Sequence, residues 1–409
     1  MIITKEQTVL LLLLKESLIG CTEMIQEELL SALDWETVMQ ESCQQAVALQ
    51  VFDVVGKYRR YMPETVYQDW FRIAMKSMRN NLRVQQGQKE LVQLLEKGGY
   101  PYVILKGTAA AAWYPRPELR TLGDVDFLID PAHKEKLDQK LVAAGYVGGG
   151  YEHGCHVVYR KPGVHLEMHV EPAGIPCGES ELLIREYLKD VPYRGIAYQF
   201  EGAEGYHPQA ADHGLILLLH IQHHMLGSGL GLRHLCDWAV FVQGTYRQEF
   251  WENRLLPLLR EIGLLRFAAV MTKVSAKYLG SVCPGWAYAD ETVVDMVIED
   301  ILIGGNFGRK EKTRARAGTM ISNHGKNGVS DGVIWNLYHT LHRSSVEVYP
   351  QIKDRPILHF FVDVIRAMRY LLMTLCGKRP NLLKVYPYAV ERKAIYEQLH
   401  IFETDETDK

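Results

Sequence analysis

Two nearby segments decide the fold of this chain: Tyr102-Val-Ile-Leu-Lys-Gly-Thr108, and Arg120-Thr-Leu-Gly-Asp-Val-Asp-Phe-Leu-Ile-Asp130. The first begins with a short apolar run and ends in a Lys-Gly pair, which predicts a buried strand followed by a tight turn. The alanine-rich residues 108–114 predict a helix that begins at that turn. In the second segment, the apolar residues 125–129 predict another buried strand with two aspartates at its start.

Asp124 and Asp126 are candidate metal ligands at the start of this second strand. Residues i and i+2 of a strand point to the same face, so the two carboxylates project together, about 7 Å apart along the chain. Two aligned carboxylates beside a glycine turn at a helix N-terminus suit a divalent cation on one side and phosphate on the other. The alternative is structural: Asp124 caps the strand end, and Asp126 forms an ion pair with Arg120.

A predicted β-hairpin downstream supplies a third carboxylate. Its arms are residues 155–159 and 164–170, and the second arm alternates strictly between apolar and ionisable residues. Ionisable side chains on one strand face need solvent, partners or a metal ion. Because three converging carboxylates cannot all stay charged and unpaired, Glu167 beside the aspartate pair predicts bound Mg²⁺ or Mn²⁺. The ionisable face carries His165, Glu167, His169 and Glu171.

These segments resemble the uncharacterised nucleotidyltransferase family of the DNA polymerase β superfamily. The resemblance implies an α+β fold, in which a minimal polymerase-β-like nucleotidyltransferase core is joined to N-terminal and C-terminal helical regions. The residues that carry it are Leu105-Lys106-Gly107, Arg120, Gly123-Asp-Val-Asp-Phe-Leu and Leu166-Glu167-Met-His169.

The resemblance also implies roles for individual residues. Gly107 and Thr108 stand at the superfamily's Gly-Ser turn, where phosphates bind. Threonine in place of serine keeps the hydroxyl group. Asp124 and Asp126 stand at the metal-binding pair, and Glu167 stands at the third carboxylate, although glutamate is longer than the usual aspartate there.

Lys106 and Arg120 are two further candidates for nucleotide binding. Lys106 is positioned to contact a triphosphate, but a lysine at a strand end also commonly forms an ion pair. Arg120 has three candidate roles: it binds phosphate, it steadies the aspartate pair, or it forms a structural ion pair with Asp124 or Asp126.

The similarity extends to a His-rich helix, a glycine turn at Gly229 and Gly231, and an Arg-x-x-x-Asp helix. His220 and His224 have the i, i+4 spacing of metal ligands on one helix face, but histidines on an apolar helix are also often buried and hydrogen-bonded. Arg233 and Asp237 have the same spacing and can form a plain helix pair. The residues assigned to a candidate acceptor side of the cleft are His169, His220, His224, Arg233 and Asp237.

Three regions are predicted along the chain: a helical N-terminal region over 1–98, the α+β core over 99–205 and a helical C-terminal region over 206–409. Asp34 is the predicted N-cap of the helix that follows it. Helices are predicted over 35–61, 63–97, 131–144, 213–225, 232–242, 250–279, 291–303, 333–341 and 357–375, and an edge strand over 193–200.

Composition limits the functional class. The formal net charge of -3 over 409 residues argues against a dedicated nucleic-acid binder. Seven cysteines without a C-x-x-C pair indicate reduced thiols, and the apolar runs are too short to span a membrane, so a cytoplasmic protein is predicted. A lipoprotein-like box ending at Cys21 is disfavoured because Lys15 and Glu16 interrupt its apolar run. The basic residues from Arg309 to Arg316 are expected to form a solvated loop, or less often to contact phosphate.

The expected function is transfer of a nucleoside monophosphate from an NTP such as ATP to an acceptor hydroxyl, with Mg²⁺ or Mn²⁺ as cofactor. The acceptor is a small molecule, a protein side chain or an RNA end. One alternative is an inactive nucleotide-binding protein on the same fold. Another is a metal-dependent phosphohydrolase that uses His220, His224 and Asp237.

Overall fold

The computed structural model describes residues 3–20, 25–152, 156–176, 179–227, 229–310, 342, 345, 349, 352, 355–375 and 382–402. Some predictions lie outside these described residues. They concern the helix over 333–341, the part of the basic loop after Lys310, and the positions of Cys21 and Cys155. A mixed sheet flanked in sequence by helical segments gives the predicted α+β fold class.

The N-terminal segment is helical, as predicted. Its helices are α1 (Lys5–Ile19), α2 (Glu27–Ser31), α3 (Trp35–Gln44), α4 (Ala48–Val55) and α5 (Glu64–Gly98). Asp34 caps α3 by accepting hydrogen bonds from the backbone N–H groups of Glu36 and Thr37. The single helix predicted after this cap is wrong, because the chain turns at Ala46, with a left-handed φ of 58°, before α4 begins.

Five strands form one sheet in the order β1-β2-β5-β4-β3. They are β1 (Tyr102–Ile104), β2 (Val125–Ile129), β3 (Val147–Glu152), β4 (His156–Lys161) and β5 (Val164–His169). β2 pairs antiparallel with β1 and parallel with β5, and β4 and β5 form the predicted hairpin. The sequence does not predict β3, because its glycine run lacks the apolar alternation typical of strands.

The edge strand predicted over 193–200 belongs to a separate ribbon instead of the main sheet. β6 (Ile196–Phe200) pairs antiparallel with β7 (Ala203–His207). The ribbon contacts β1, and the rings of Tyr102 and Tyr206 pack edge to face with their centroids 5.5 Å apart. Alternation predicts that a segment is a strand, but the partner of that strand depends on tertiary packing.

The remaining helices are α6 (Thr108–Ala111), α7 (Lys134–Ala143), α8 (Glu179–Leu188), α9 (Ala210–Leu226), α10 (Leu232–Thr245), α11 (Leu256–Glu261), α12 (Leu265–Leu279), α13 (Glu291–Gly304), α14 (Pro356–Leu375) and α15 (Leu382–Leu399). The single helix predicted over 250–279 is divided into a π turn, α11 and α12, with Gly263 at φ 71° between the last two. One apolar core joins both helical segments, since it contains Leu10 of α1 as well as Trp238 of α10 and Phe267 of α12. In the described part of the chain, no helix is both long and apolar enough to span a membrane.

Candidate active site

Parallel pairing of β2 with β5 brings the three predicted carboxylates together. The register sets Asp126 opposite Glu167, and Asp124 lies just before β2 begins. One carboxylate oxygen from each of these three residues lies within 4.8 Å of the other two. Registered neighbours in a sheet project from the same face, so two separately predicted strands meet at one site. The role of these residues in metal binding stays a prediction.

A lysine ammonium group and an imidazole face the most deeply buried of the three carboxylates. Lys106 Nζ lies 2.8 Å from Asp126 Oδ1, and His169 Nε2 lies 3.0 Å from the same oxygen. His169 Nε2 also lies 3.7 Å from Glu167 Oε2. Both Asp126 and His169 are buried. The ion-pair alternative for Lys106 is therefore present in the structure, and His169 orients two of the carboxylates.

Burial controls the electrostatics of the cluster. It raises the pKa of Asp124, and repulsion from Asp126 adds to this effect. It also raises the pKa of Glu167, while the nearby His169 imidazole opposes that shift. Burial would raise the pKa of Asp126 too, but Lys106 and His169 hold it below its ordinary value. Lys106 and Arg233 partly offset the rise in the pKa of Asp124, so negative charge is compensated most at Asp126 and less at the other two carboxylates, a donor set that fits Mg²⁺ or Mn²⁺.

Binding of Mn²⁺ is expected to weaken between about pH 7.5 and about pH 5 by more than ordinary carboxylates would allow. The raised pKa values of Asp124 and Glu167 mean that protons compete with the cation as the pH falls. Carboxylates with ordinary pKa values would lose less than about twofold in affinity over this range. Electron paramagnetic resonance of free Mn²⁺ measures the affinity, and a pH-independent value would contradict the raised pKa values.

The predicted glycine turn lies beside the carboxylate cluster. Gly107 has φ 60°, which other residues rarely adopt, and a Cβ at this position would lie 3.5 Å from the backbone oxygen of Asp124. Helix α6 begins at Thr108, and the first amide groups of a helix have no intrahelical acceptor. The Thr108 hydroxyl is buried and hydrogen-bonded with Gln88 and Tyr198. The backbone of the turn, more than this hydroxyl, is therefore suited to face a phosphate.

Arg120 contacts neither predicted partner, Asp124 nor Asp126. Its Nε and one terminal nitrogen each donate to a carboxylate oxygen of Asp237, at 2.7 Å. The Tyr114 hydroxyl donates to the same carboxylate at 2.7 Å. Both charged side chains are buried, and they lie 117 positions apart in sequence. Arg120 is thus fixed structurally, and Asp237 pairs with it instead of forming the alternative helix pair with Arg233.

A cluster of three histidines lies on α9 and α10. The predicted pair His220 and His224 is joined by His234, with ring nitrogens of all three within 4.8 Å of one another. Burial lowers the pKa of each imidazole well below its ordinary value. The phosphohydrolase alternative does not fit, because both oxygens of its third residue, Asp237, are bonded to Arg120. The i, i+4 spacing singles out His220 and His224 but not His234. The signal that could have identified His234 is its place in the first helical turn after the predicted glycine break.

A cavity of about 270 Å³ opens at Asp124. Arg233 lines it from α10, and Asn306, Phe307 and Arg309 line it from the segment after α13. The Arg233 guanidinium carbon lies 5.6 Å from the centre of the Phe307 ring. Asn306 and Phe307 carry no motif in the sequence, and only the fold brings them to the site.

A family model described as uncharacterised nucleotidyltransferase matches residues 31–280. No curated protein and no solved structure matches the chain. The matched segment runs from the end of α2 to the end of α12. It contains the three carboxylates and Arg233, but not the residues after α13 that line the cavity.

Proposed function

Because the chain belongs to the uncharacterised nucleotidyltransferase family, we propose that it moves a nucleoside monophosphate from an NTP to an acceptor hydroxyl in a reaction that needs Mg²⁺ or Mn²⁺. The observation that carries the metal requirement is the convergence of Asp124, Asp126 and Glu167 within 4.8 Å. Three buried or half-buried carboxylates so close together are unfavourable without a cation.

Asp124 and Asp126 would hold the metal, and Glu167 would complete the ligand set. A cation bound there supplies charge neutralisation for the phosphates and activation of the acceptor hydroxyl. The acceptor oxygen forms a bond to the α-phosphorus, the bond from the α-phosphorus to the bridging oxygen of the β-phosphate breaks, and pyrophosphate leaves. Glu167 accepts the hydroxyl proton, a role favoured by its raised pKa.

The glycine turn would seat the NTP phosphates. Gly107 and Thr108 form the start of α6, where the first backbone N–H groups have no intrahelical acceptor and can donate to phosphate oxygens. Lys106 lies at the same turn and bonds to Asp126, so its charge is held near both the metal ligands and the phosphates. We place the reaction in the cytoplasm, which agrees with the free thiols of Cys43, Cys236 and Cys283.

The test is incubation of the purified chain with each α-³²P-labelled NTP and Mg²⁺ or Mn²⁺, alone and with cell extract. We expect label on a co-purified or extracted acceptor, and loss of that label when EDTA is added. Products are separated by gel and by thin-layer chromatography, which distinguishes labelled protein, RNA and small molecules. Metal-dependent NTP binding without labelled product under any of these conditions would favour the inactive nucleotide-binding alternative and overturn the proposal.

A further inference from the structure

Arg233 is a largely enclosed cation that Asp237 and Asp124 attract electrostatically, but neither carboxylate forms a close ion pair with it. Its Nε atom is buried without a hydrogen-bond partner, and the side chain forms no ion pair with any residue that the structure describes. An enclosed charge is costly unless an opposite charge compensates it. Other enclosed arginines in the described ranges have such partners: Arg120 with Asp237, Arg194 with Asp212 and Arg392 with Asp300.

Close backbone packing fixes the shape of the cavity beside Arg233. A Cβ on Gly231 would lie 2.7 Å from Asn306 Cα, so only glycine allows this approach between the start of α10 and the segment after α13. Phe307 has a left-handed φ of 56°, a conformation that costs free energy and is often found at functional sites. Its ring contacts the imidazoles of His224 and His234. The wall opposite Arg233 is therefore a specific, strained structure.

The charges in the cavity select its ligand. Arg233 and the exposed Arg309 supply two guanidinium groups, while Asp124, the one carboxylate among the lining residues, belongs to the proposed metal site. Guanidinium groups bind phosphate by paired, charge-assisted hydrogen bonds and repel polycationic compounds. Gly107 and Thr108, the proposed seat of the NTP phosphates, do not line this cavity. An anionic group of a second substrate therefore fits it best.

We propose that this cavity binds the phosphate group of a small phosphorylated acceptor, with Arg233 and Arg309 as the phosphate ligands. The proposal rests on the proposed function and narrows its acceptor class. The volume of about 270 Å³ lies just below the usual range for small-molecule sites, about 300–1,000 Å³, which suits a small phosphorylated sugar better than a protein or RNA chain. The acceptor hydroxyl would reach Asp124 while the phosphate stays between the two arginines.

The test is calorimetric titration of the full chain with inorganic phosphate, ribose 5-phosphate and ribose. Saturating Mg²⁺ and an α,β-methylene NTP analogue block the NTP phosphate seat. We expect both phosphate compounds to bind and ribose not to bind. Arg233→Gln should weaken phosphate binding by at least about tenfold and Arg233→Lys by less, because lysine keeps the charge but not the fork geometry.

The controls separate this proposal from its alternatives. Arg309→Gln, at an exposed position where folding is less at risk, should also weaken phosphate binding, whereas Arg266→Gln, an exposed arginine outside the cavity, should not. Absence of phosphate binding to the unaltered chain overturns the proposal. An equal loss of affinity for the NTP analogue in Arg233→Gln also overturns it, because the cavity would then serve the NTP. Phosphate binding needs no turnover, so its loss and failure of the transfer assay are observed separately.

Discussion

The Asp124→Asn substitution is expected to lower nucleotidyl transfer by roughly 10³-fold while the chain stays folded. Asparagine keeps the shape of the side chain but removes one negative charge from the metal-binding set. Because the folded state raises the pKa of Asp124, the ionised carboxylate is unfavourable there without a cation. Removing the negative charge of Asp124 should therefore leave the metal-free variant at least as stable as the metal-free unaltered chain. Label transfer measures the activity, and thermal unfolding with and without Mg²⁺ measures the stability.

Asp130→Asn is the matched control, because Asp130 lies just beyond the far end of β2 and caps the following turn. Asp130→Asn should change the transfer rate by less than about twofold. This change is much smaller than the loss expected when a preorganised charged group is removed. Mg²⁺ should raise the unfolding temperature of the unaltered chain but not of Asp124→Asn. Transfer by Asp124→Asn within tenfold of the unaltered rate would refute the metal assignment.

Asp126→Asn is a less clean test than the sequence suggests. From the sequence, we expect this substitution to abolish transfer and leave the fold intact. In the structure, Asp126 lies against Lys106 and His169, and its pKa is lowered. A carboxylate with a lowered pKa stabilises the fold at all pH values above its unfolded pKa, and that stabilisation is lost as the pH falls through the folded value. Neutralising Asp126 at neutral pH should therefore cost stability as well as activity.

The Asp237→Ala substitution is expected to lower the free energy of unfolding by about 3–5 kcal/mol, the cost of breaking a buried ion pair. It would leave the Arg120 guanidinium buried with no carboxylate and would remove the hydrogen-bond acceptor of Tyr114. Urea unfolding followed by circular dichroism measures the change. Asp237→Asn, which keeps an acceptor oxygen, should lose less and provides a second reading if the alanine variant does not fold.

Asp53→Ala is the control for a more exposed ion pair. Asp53 pairs with Arg116, whose side chain is 51% exposed and also contacts Glu118. Pairs of this kind contribute roughly 0–1 kcal/mol, so the control should shift the urea midpoint little. Equal destabilisation by Asp53→Ala and Asp237→Ala would show that the buried Arg120–Asp237 pair contributes no more to the free energy of unfolding than an exposed pair.

Local sequence was enough to predict the two strands that carry the carboxylates. An apolar run predicts β2, and strict alternation of apolar and ionisable residues predicts β5. Both signals depend only on residues within a few positions. The cap at Asp34 is equally local, since its oxygen accepts from Glu36 and Thr37. The single helices predicted over 35–61 and over 250–279 are each divided in the structure. The predictions were wrong because helical periodicity continues through turns whose positions are set by packing.

The sequence by itself determined the α+β class, the Gly107 turn and the candidates Asp124, Asp126 and Glu167, because each depends on short-range pattern or resemblance. Only the tertiary structure decided how these and more distant residues combine. It paired Arg120 with Asp237, placed His169 against Asp126, and left Arg233 Nε buried beside a cavity without a hydrogen-bond partner. Such contacts join elements far apart in sequence, and their free energies depend on burial and distance, which no local pattern encodes.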